Sequence, residues 1–422
     1  VIPGGNFLLS KNKNIFSPAK WPCYYQKVKG SYVWDLDGKK YIDFSTNGVG
    51  ACSLGHSCNA VDKRVHNMIK RGVMSTLNSP YEVLLAKKLV ELDSNLNMVK
   101  LARTGGEANA ISIRIARAYS GKSKIAFCGY HGWHDWYVST NINSDDALNE
   151  HLLKGIGAKG VPRELKGTTL PFRYNSFEDL EALKNDNDIA AIKMEVTRTE
   201  EPKKEYLQAI RDICDSKGII LIFDECTTGF REAFGGIYKK YGVTPDMIIL
   251  GKALGNGYAI TAVQGKEKFM KYANNTFISS TFWTEAIGPV AAISTLEEME
   301  RNKSWEKLPK IGNAIKKIWK DTAQKYKLPI VINGLDALPT FYFNLKDKQA
   351  YQTVFVERML DLGFLASTAF YPTIKHSEND IKKYSISINK VFELLGTCYE
   401  GKINIYELCE GAVTKASFER LN

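Results

Sequence analysis

Lys252 is the residue of this sequence with the clearest chemical potential. It follows the apolar run 247–250 after a single glycine, Gly251, so we expect it at the mouth of a buried strand, where an ammonium is poorly solvated. Burial can lower the pKa of a lysine by up to roughly 3–5 units, which leaves a neutral amine able to form a Schiff base. A solvated lysine is the ordinary alternative, and the neighbouring motifs must decide between the two.

Asp224 is a candidate partner for a protonated ring nitrogen. It follows the apolar run 219–223, where a carboxylate is costly to bury without a cation. At about 4 Å and an effective dielectric of about 20, such a pair is worth about 4 kcal/mol. That corresponds to roughly three pK units, enough to keep a pyridine nitrogen protonated at neutral pH, as an electron sink requires. An acid that caps a loop is the alternative interpretation.

Two adjacent glycines, Gly105 and Gly106, precede an apolar pattern of helical spacing that ends at Gly121. Glycines allow close approach of the backbone, and free amides at the start of a helix favour a phosphate group. The segment matches neither the Gly-x-x-x-x-Gly-Lys-Ser/Thr pattern nor the Gly-x-Gly-x-x-Gly pattern of nucleotide-binding proteins. It therefore predicts a phosphate site of another kind, against the alternative of an unliganded helix start.

The loop 128–136 is crowded with aromatic and histidine side chains. It contains Tyr130, His131 and His134, but no third metal ligand lies at a suitable spacing. An aromatic platform for a planar ring explains the composition better than a metal site, and Tyr130 is nearest to the end of the preceding strand.

The elements that position these residues alternate between helix and strand. Apolar residues of helical spacing at 108–118 lead to a short strand at 124–128, and another strand is expected at 189–194. A helix that ends at Gly218 connects to the fully apolar run 219–223. Continuous apolar strands are typical of a parallel sheet that is covered on both faces, and ligands of such sheets bind at the carboxyl ends of the strands.

The composition is that of a soluble globular protein with more than one domain, because 422 residues exceed the ~100–200 of a typical domain. No apolar run approaches the ~18 residues of a membrane span, and the first residues show no signal pattern. The net charge of +11 comes from scattered lysines and a solvated helix face at 310–327, so we expect no nucleic-acid partner. Eight cysteines without a Cys-x-x-Cys pair predict a reduced, cytoplasmic protein without a metal site.

Together these motifs resemble the class III (subgroup III) pyridoxal-phosphate aminotransferases, most closely the branch around glutamate-1-semialdehyde 2,1-aminomutase. The resemblance covers nearly the whole chain and implies an α/β protein of fold type I. It implies a mostly parallel, helix-covered sheet in a large domain and a smaller α+β C-terminal domain. The expected boundaries are 1–55 for an N-terminal arm and hairpin that pack with the small domain, 56–300 for the large domain and 301–422 for the small domain.

The resemblance also implies roles for particular residues. Lys252 would form the Schiff base with pyridoxal 5'-phosphate and move the proton, Asp224 would pair with the pyridinium, and Tyr130 would stack beside the ring. Thr281 would reach the phosphate of the neighbouring subunit, which implies a homodimer. The remaining cofactor contacts would be Thr104, Gly105, Gly106, His131 and Glu195.

Three positions on the substrate side depart from the aminomutase pattern. Lys11 stands where an arginine is expected, Tyr371 where a glutamate is expected and Glu200 near where an asparagine is expected. A lysine is a point charge and cannot replace the bidentate fork of an arginine. We therefore expect a transaminase that moves an amino group from a small-molecule amino donor to a keto or aldehyde acceptor.

The segments 130–135 and 280–283 look like those of enzymes from bacterial surface-sugar pathways, which predicts an oxo-sugar acceptor. Arg198 and Arg231, together with Lys11, are candidates for binding an anionic substrate group. The alternatives are the aminomutase reaction itself, decarboxylase or racemase chemistry on the same cofactor, and a non-catalytic sensor protein that binds pyridoxal phosphate.

Overall fold

The computed structural model describes residues 1–151 and 154–415, and the chain divides into two compact units. The sheet unit is Asn59–Asn302. The terminal unit joins Val1–Cys58 to the described part of Lys303–Asn422. Among the described residues, the structure has no helix that is both long and apolar enough to cross a membrane.

The N-terminal part of the terminal unit contains three antiparallel strands: β1 (Tyr25–Lys29), β2 (Tyr32–Asp35) and β3 (Lys40–Phe44). The turn between β2 and β3 contains Gly38, whose φ of +79° is a conformation that glycine adopts without steric cost. Strands β2 and β3 thus form the hairpin that was expected within residues 1–55.

The sheet unit is built on a seven-stranded sheet with helices packed against it. The strand order is β4-β10-β9-β8-β7-β5-β6, in which β9 to β6 run parallel and β10 is antiparallel to both of its neighbours. This is the fold class predicted from the sequence. The elements are α1 (Asn59–Arg71), α2 (Pro80–Leu92), β4 (Met98–Ala102), α3 (Gly105–Ser120), β5 (Lys124–Cys128), α4 (Asp135–Val138), β6 (Thr169–Pro171), α5 (Phe177–Lys184), β7 (Ile189–Met194), α6 (Tyr206–Lys217), β8 (Ile220–Asp224), β9 (Met247–Leu250), β10 (Thr261–Gly265), α7 (Glu267–Met270) and α8 (Ile287–Asn302).

Every residue of β7, β8 and β9 is buried, and all of them are apolar except Lys193 of β7 and Asp224 of β8. The predicted strand 219–223 lies one residue further along the chain, at Ile220–Asp224, and its end includes Asp224 because Asp224 pairs with Ile249 of β9. The carboxylate is thus fixed by the ladder of the sheet and does not belong to a free loop.

The second part of the terminal unit combines three helices with three short strands. Strand β13 pairs parallel with β3, and β11 pairs antiparallel with β12. Phe44 of β3 lies in the core of this unit and stacks on Tyr384 at 4.2 Å and on Phe370 at 5.0 Å between ring centroids. The elements are α9 (Ser304–Lys325), β11 (Ile330–Asn333), β12 (Thr340–Phe343), α10 (Lys348–Asp361), β13 (Phe364–Ala366) and α11 (Glu378–Tyr399).

Candidate active site

The predicted site residues of the sheet unit lie at the carboxyl ends of neighbouring parallel strands. Asp224 ends β8, and Lys252 is the second residue after β9. Tyr130 and His131 follow β5, and Glu195 directly follows β7. Since β9, β8, β7 and β5 are successive parallel strands, one edge of the sheet carries all of these residues.

Asp224 is buried, with 3% of its surface exposed, and is held by two donors. Its Oδ1 accepts from the amide of Cys226 at 3.1 Å, and its Oδ2 lies 2.9 Å from His131 Nδ1. His131 Nε2 lies 3.0 Å from the carbonyl oxygen of Cys128. Carbonyl and carboxylate oxygens can only accept, so a doubly protonated imidazole satisfies both contacts.

The charge of Asp224 is maintained despite its burial. Burial alone would raise its pKa, but the hydrogen bond from His131 and the positive charge of Lys193 together hold that pKa below its ordinary value. The carboxylate is therefore ionised over the whole physiological pH range. It can hold a cation that arrives at the open end of the strand.

Lys252 has an unusual backbone conformation for a residue with a side chain. Its φ is +42°, a left-handed conformation that costs roughly 1–3 kcal/mol and is concentrated at functional sites. The half-buried side chain donates from Nζ to Thr227 Oγ1 at 2.9 Å. Thr227 belongs to the loop after β8, so this bond ties the lysine to the segment that begins with Asp224.

Cys226 is the small buried residue around which three elements meet. A Cβ atom on Gly105, at the start of α3, would lie 3.3 Å from Cys226 Sγ. A Cβ atom on Gly251, between β9 and Lys252, would lie 3.1 Å from the same sulfur. The first turn of α3, the end of β9 and the loop after Asp224 are therefore in close contact.

The first turn of α3 is organised by a capping box. The Thr104 hydroxyl accepts from the amide of Glu107, and Glu107 Oε2 accepts from the amides of Thr104 and Arg103. Within the described residues, the amides of Gly105 and Gly106 have no acceptor. Free amides at the start of a long helix form an anion site.

Gly106 is also held close to the aromatic loop after β5. A Cβ atom there would lie 2.7 Å from His134 Cε1, and His134 Nδ1 is buried without a partner among the described residues. Burial lowers the pKa of His134. The imidazole is therefore uncharged at neutral pH and leaves a polar atom beside the first turn of α3.

Tyr130, Glu195 and Arg198 form a separate hydrogen-bonded group. Glu195 Oε2 accepts from the amide of Tyr130 at 3.1 Å, and Glu195 Oε1 pairs with Arg198 Nη1 at 3.1 Å. A Cβ atom on Gly129 would lie 2.8 Å from Glu195 Oε2, so the glycine permits this contact. Burial raises the pKa of Tyr130, which keeps its phenol neutral. A cavity of about 70 Å³ adjoins Glu195 and Arg198.

The other predicted residues occupy different environments. Thr281 is exposed on a short turn that Arg103 Nη2 holds through the carbonyl oxygen of Trp283. Arg231 is almost fully buried and donates to the carbonyl oxygen of Thr227. Glu200 is exposed. Lys11 and Tyr371 lie in the terminal unit, where Lys11 is exposed and the Tyr371 amide donates to Ser45.

Three residues of this region were not predicted from the sequence: Thr227, Cys226 and Lys193. Thr227 and Cys226 lie in a loop of ordinary composition, and their contacts depend on the approach of β9 and α3. For Lys193, however, the sequence did contain a signal. It is the only charged residue in the apolar strand β7, and a charge inside a strand that is buried on both faces requires an explanation.

Comparisons with known proteins establish the family. The family described as "Aminotransferase class-III" matches residues 16–382. A 3-aminobutyryl-CoA aminotransferase of Cloacimonas acidaminovorans is 35% identical over 85% of this chain and 84% of the relative. A glutamate-1-semialdehyde 2,1-aminomutase of Nitrosopumilus maritimus is 32% identical over 91% of this chain and 94% of the relative.

A solved structure agrees with this at the level of the fold. The FumI protein of Sphingopyxis sp. MTA144 matches with a TM-score of 0.86 and 22% identity, over 97% of both chains. The chain belongs to the class III aminotransferases. It is an enzyme of the pyridoxal-phosphate-dependent transaminase class, as the resemblance predicted.

Replacing Lys193 by methionine should stabilise the protein in a pH-dependent way. Burial lowers the pKa of Lys193 from 10.5 to about 8. At roughly 1.4 kcal/mol per pH unit, the charged lysine lowers the free energy of unfolding by about 3 kcal/mol. The lysine therefore destabilises the fold fully below pH 8, and the effect disappears above pH 10.5. We expect Lys193→Met to raise the free energy of unfolding in urea by about 3 kcal/mol at pH 7 and to have little effect near pH 11.

The matched control is Lys204→Met, since the Lys204 side chain is 93% exposed. We expect this change to alter the unfolding free energy by less than about 0.5 kcal/mol at either pH. Destabilisation by Lys193→Met at pH 7, or a gain independent of pH, would contradict the assigned environment of Lys193.

Proposed function

We propose that this enzyme transfers an amino group between an amino donor and a keto or aldehyde acceptor, with Lys252 as the residue that binds pyridoxal phosphate covalently. The observation that carries the proposal is the convergence at Cys226. An amine, a buried carboxylate and a pair of free helix amides lie around this residue on three elements. These groups are complementary to the aldehyde, the ring nitrogen and the phosphate of the cofactor.

The residues present fit the cofactor. Gly105 and Gly106 offer free amides, a side chain at Gly106 would clash with His134, and one at Gly105 would be in tight contact with Cys226. Thr104 borders the same site, and its hydroxyl is held in the capping box. Asp224 is ionised before any ligand binds, so a protonated ring nitrogen would complete its set of donors. We assign cofactor binding to these residues together with Tyr130, His131, Glu195 and Thr281.

When bound, pyridoxal phosphate supplies a carbonyl carbon that takes up the amino group and a protonated ring that stores the electrons of the broken Cα–H bond. Once the amino donor has displaced it from the cofactor, Lys252 Nζ would act as the base that takes the Cα proton and passes it to the former aldehyde carbon, and in the second half-reaction it would move a proton in the opposite direction. Thr227 Oγ1 orients this amine. Asp224 keeps its charge through His131, and α3 anchors the phosphate with its amides.

Tyr130 and Glu195 shape the opening of the site. Tyr130 is half-buried and neutral, and its backbone is fixed through Glu195, so its ring is a rigid platform beside a planar ligand. Arg198 neutralises Glu195 and borders the small cavity. A substrate carboxylate that enters there would compete with Glu195 for the guanidinium.

The role of Lys252 is tested with Lys252→Ala. Borohydride reduction of the wild-type holoenzyme should attach the cofactor to the peptide that contains Lys252, and mass spectrometry should find no such adduct in the variant. The transamination rate should fall by roughly 10²–10⁴-fold, because the proton-transfer base is lost. The exposed Lys204 provides the control, since Lys204→Ala should retain both the adduct and the rate. An adduct in Lys252→Ala at any other lysine would overturn the assignment.

We further propose a cytoplasmic homodimer in which Thr281 acts on the site of its partner. Thr281 is exposed and lies between the exposed aromatic residues Phe277 and Phe282. A groove of about 730 Å³ borders the same segment and is lined by residues of α2 and β4. An exposed apolar surface around a polar phosphate contact is what a second copy of this chain would cover.

Mixing two inactive variants tests the shared site. If Thr281 acts in trans, dimers of Lys252→Ala with Thr281→Ala subunits contain one intact site, and activity at limiting cofactor should reach roughly a quarter of the wild-type value after random exchange. If Thr281 acts in cis, no site is intact. Absence of rescue, with heterodimers demonstrated by native mass spectrometry, would refute the trans contact. A monomeric protein would refute the dimer.

The acceptor that we propose is an oxo-sugar, supported by the motif resemblance at 130–135 and 280–283. Lys11, Arg198 and Arg231 are the proposed ligands of an anionic substrate group, with Glu200 and Tyr371 as further substrate-side positions. The aminomutase reaction is the second candidate, because the relative from Nitrosopumilus maritimus is named for that reaction and this chain matches it over 94% of its length. The departures at Lys11, Glu200 and Tyr371 favour plain transamination.

A half-reaction screen separates these candidates. Amino donors should bleach the cofactor absorbance, and acceptors should restore it; oxo-sugar nucleotides, a 3-oxoacyl-CoA thioester, keto acids and glutamate-1-semialdehyde are tested in parallel. We expect an oxo-sugar to restore the cofactor absorbance. We expect no sustained 5-aminolevulinate formation from the semialdehyde alone. Sustained 5-aminolevulinate formation without a second donor would establish the aminomutase instead. If only the 3-oxoacyl-CoA thioester restored the cofactor absorbance, a thioester would replace the oxo-sugar as the proposed acceptor.

A further inference from the structure

Lys193 is a fully buried lysine in the central part of the sheet. It belongs to β7, whose other five residues are apolar, and none of its surface is exposed. Strand β7 lies between β5 and β8, so Lys193 has a strand on either side. An ammonium in this position is unfavourable unless charged or polar groups surround it.

The register of the sheet places Lys193 and Asp224 on the same face. Lys193 pairs with Ile222 of β8, and Asp224 lies two residues further along that strand. Residues two apart on a strand point to the same side, and paired residues of parallel strands do so as well. This side faces α3, because Lys193 Nζ lies 3.4 Å from Ser112 Oγ of that helix.

Lys193 interacts with Asp224 electrostatically and not through a hydrogen bond. Ser112 donates to the carbonyl oxygen of Asn109, so its oxygen is free to accept from the ammonium. The charged or titratable groups that face Lys193 are Asp224 of β8 and the Cys226 thiol after it. Asp224 already receives its hydrogen bonds from His131 and from the Cys226 amide. Lys193 therefore influences the carboxylate through its field, and burial strengthens that field because little water screens it.

We propose that Lys193 is a positioning residue whose buried charge moderates the attraction of Asp224 for a cation and thereby sets how readily the bound cofactor is protonated. This inference rests on the proposed function of Asp224. The His131 imidazole and the Lys193 side chain both flank Asp224 before the ring nitrogen arrives. With an apolar residue in place of Lys193, the Asp224 carboxylate would attract the protonated ring nitrogen more strongly. The ring nitrogen would therefore hold its proton more tightly.

The first test follows the absorbance band of the bound cofactor as a function of pH. Removing the cation in Lys193→Met should move the midpoint of this titration upward by roughly one pH unit, since a neighbouring like charge disfavours protonation. Lys193→Gln, a second neutral variant that retains a polar head, should shift it in the same direction. Lys124→Met is the matched control, because it removes a lysine from the first position of β5, at the end of that strand opposite to the site. It should leave the midpoint unchanged.

The second test uses the apoprotein and does not depend on cofactor chemistry. Lys193→Met should raise the urea midpoint more in an Asp224→Asn background than in the wild type, because the lysine loses its counter-ion there. Equal increases in both backgrounds, or a cofactor titration that stays in place or moves downward in the neutral variants, would overturn the proposal. If borohydride attaches no cofactor to the wild-type protein, the proposed function fails, whereas the apoprotein cycle still decides whether Lys193 and Asp224 interact.

Discussion

A carboxylate that is buried at the end of a central strand must be kept charged, and much of the site is arranged around this requirement. Asp224 has its backbone in the sheet ladder, its oxygens on His131 and the Cys226 amide, and Lys193 on the same face of the sheet. His131 is itself fixed by the carbonyl oxygen of Cys128 at the end of β5. Residues of three parallel strands, β5, β7 and β8, thus hold or surround this one ionised group. Its position is rigid because the sheet fixes each of these residues.

A second constraint is the close approach of three chain segments at Cys226. Glycine at 105 and 251 leaves van der Waals space for the sulfur, and a larger residue at 226 would separate α3 from the end of β9. The left-handed backbone of Lys252 belongs to the same packing. The cost of this conformation is offset by the surrounding contacts, which place the amine beside the loop that follows Asp224. Reactive groups of three different kinds are thereby concentrated in a small volume.

The positions proposed for the cofactor and those proposed for the substrate lie in different structural settings. Apart from Thr281 on its exposed turn, the residues assigned to pyridoxal phosphate lie on strand ends and a helix start of the sheet unit, where backbone geometry fixes them. The positions that depart from the aminomutase pattern lie outside these strand ends: Lys11 and Glu200 are exposed, and Tyr371 is half-buried. Two relatives with similar identity have names that specify different substrates, which agrees with this separation.

The sequence by itself determined the parallel sheet, the strand ends that carry Asp224 and Lys252, and the glycine start of α3. These follow from local patterns: apolar runs of strand length, a helix that ends at Gly121, and glycines where the backbone must approach a neighbour closely. Because parallel strands share their carboxyl edge, the rough location of the site followed too. Family membership then supplied the cofactor.

Only the tertiary structure decided which side chains meet. His131 and Asp224 are 93 residues apart, and Lys252 and Thr227 are 25 apart, so no local pattern relates them. The end of β8 was predicted one residue too early, because the pairing of Asp224 with Ile249 depends on a strand more than 20 residues away. Lys193 was visible as a charge in an apolar strand, but the register of β7 on β8 decided that it faces Asp224. Long-range pairing sets side-chain direction, and that information is absent from any short stretch of sequence.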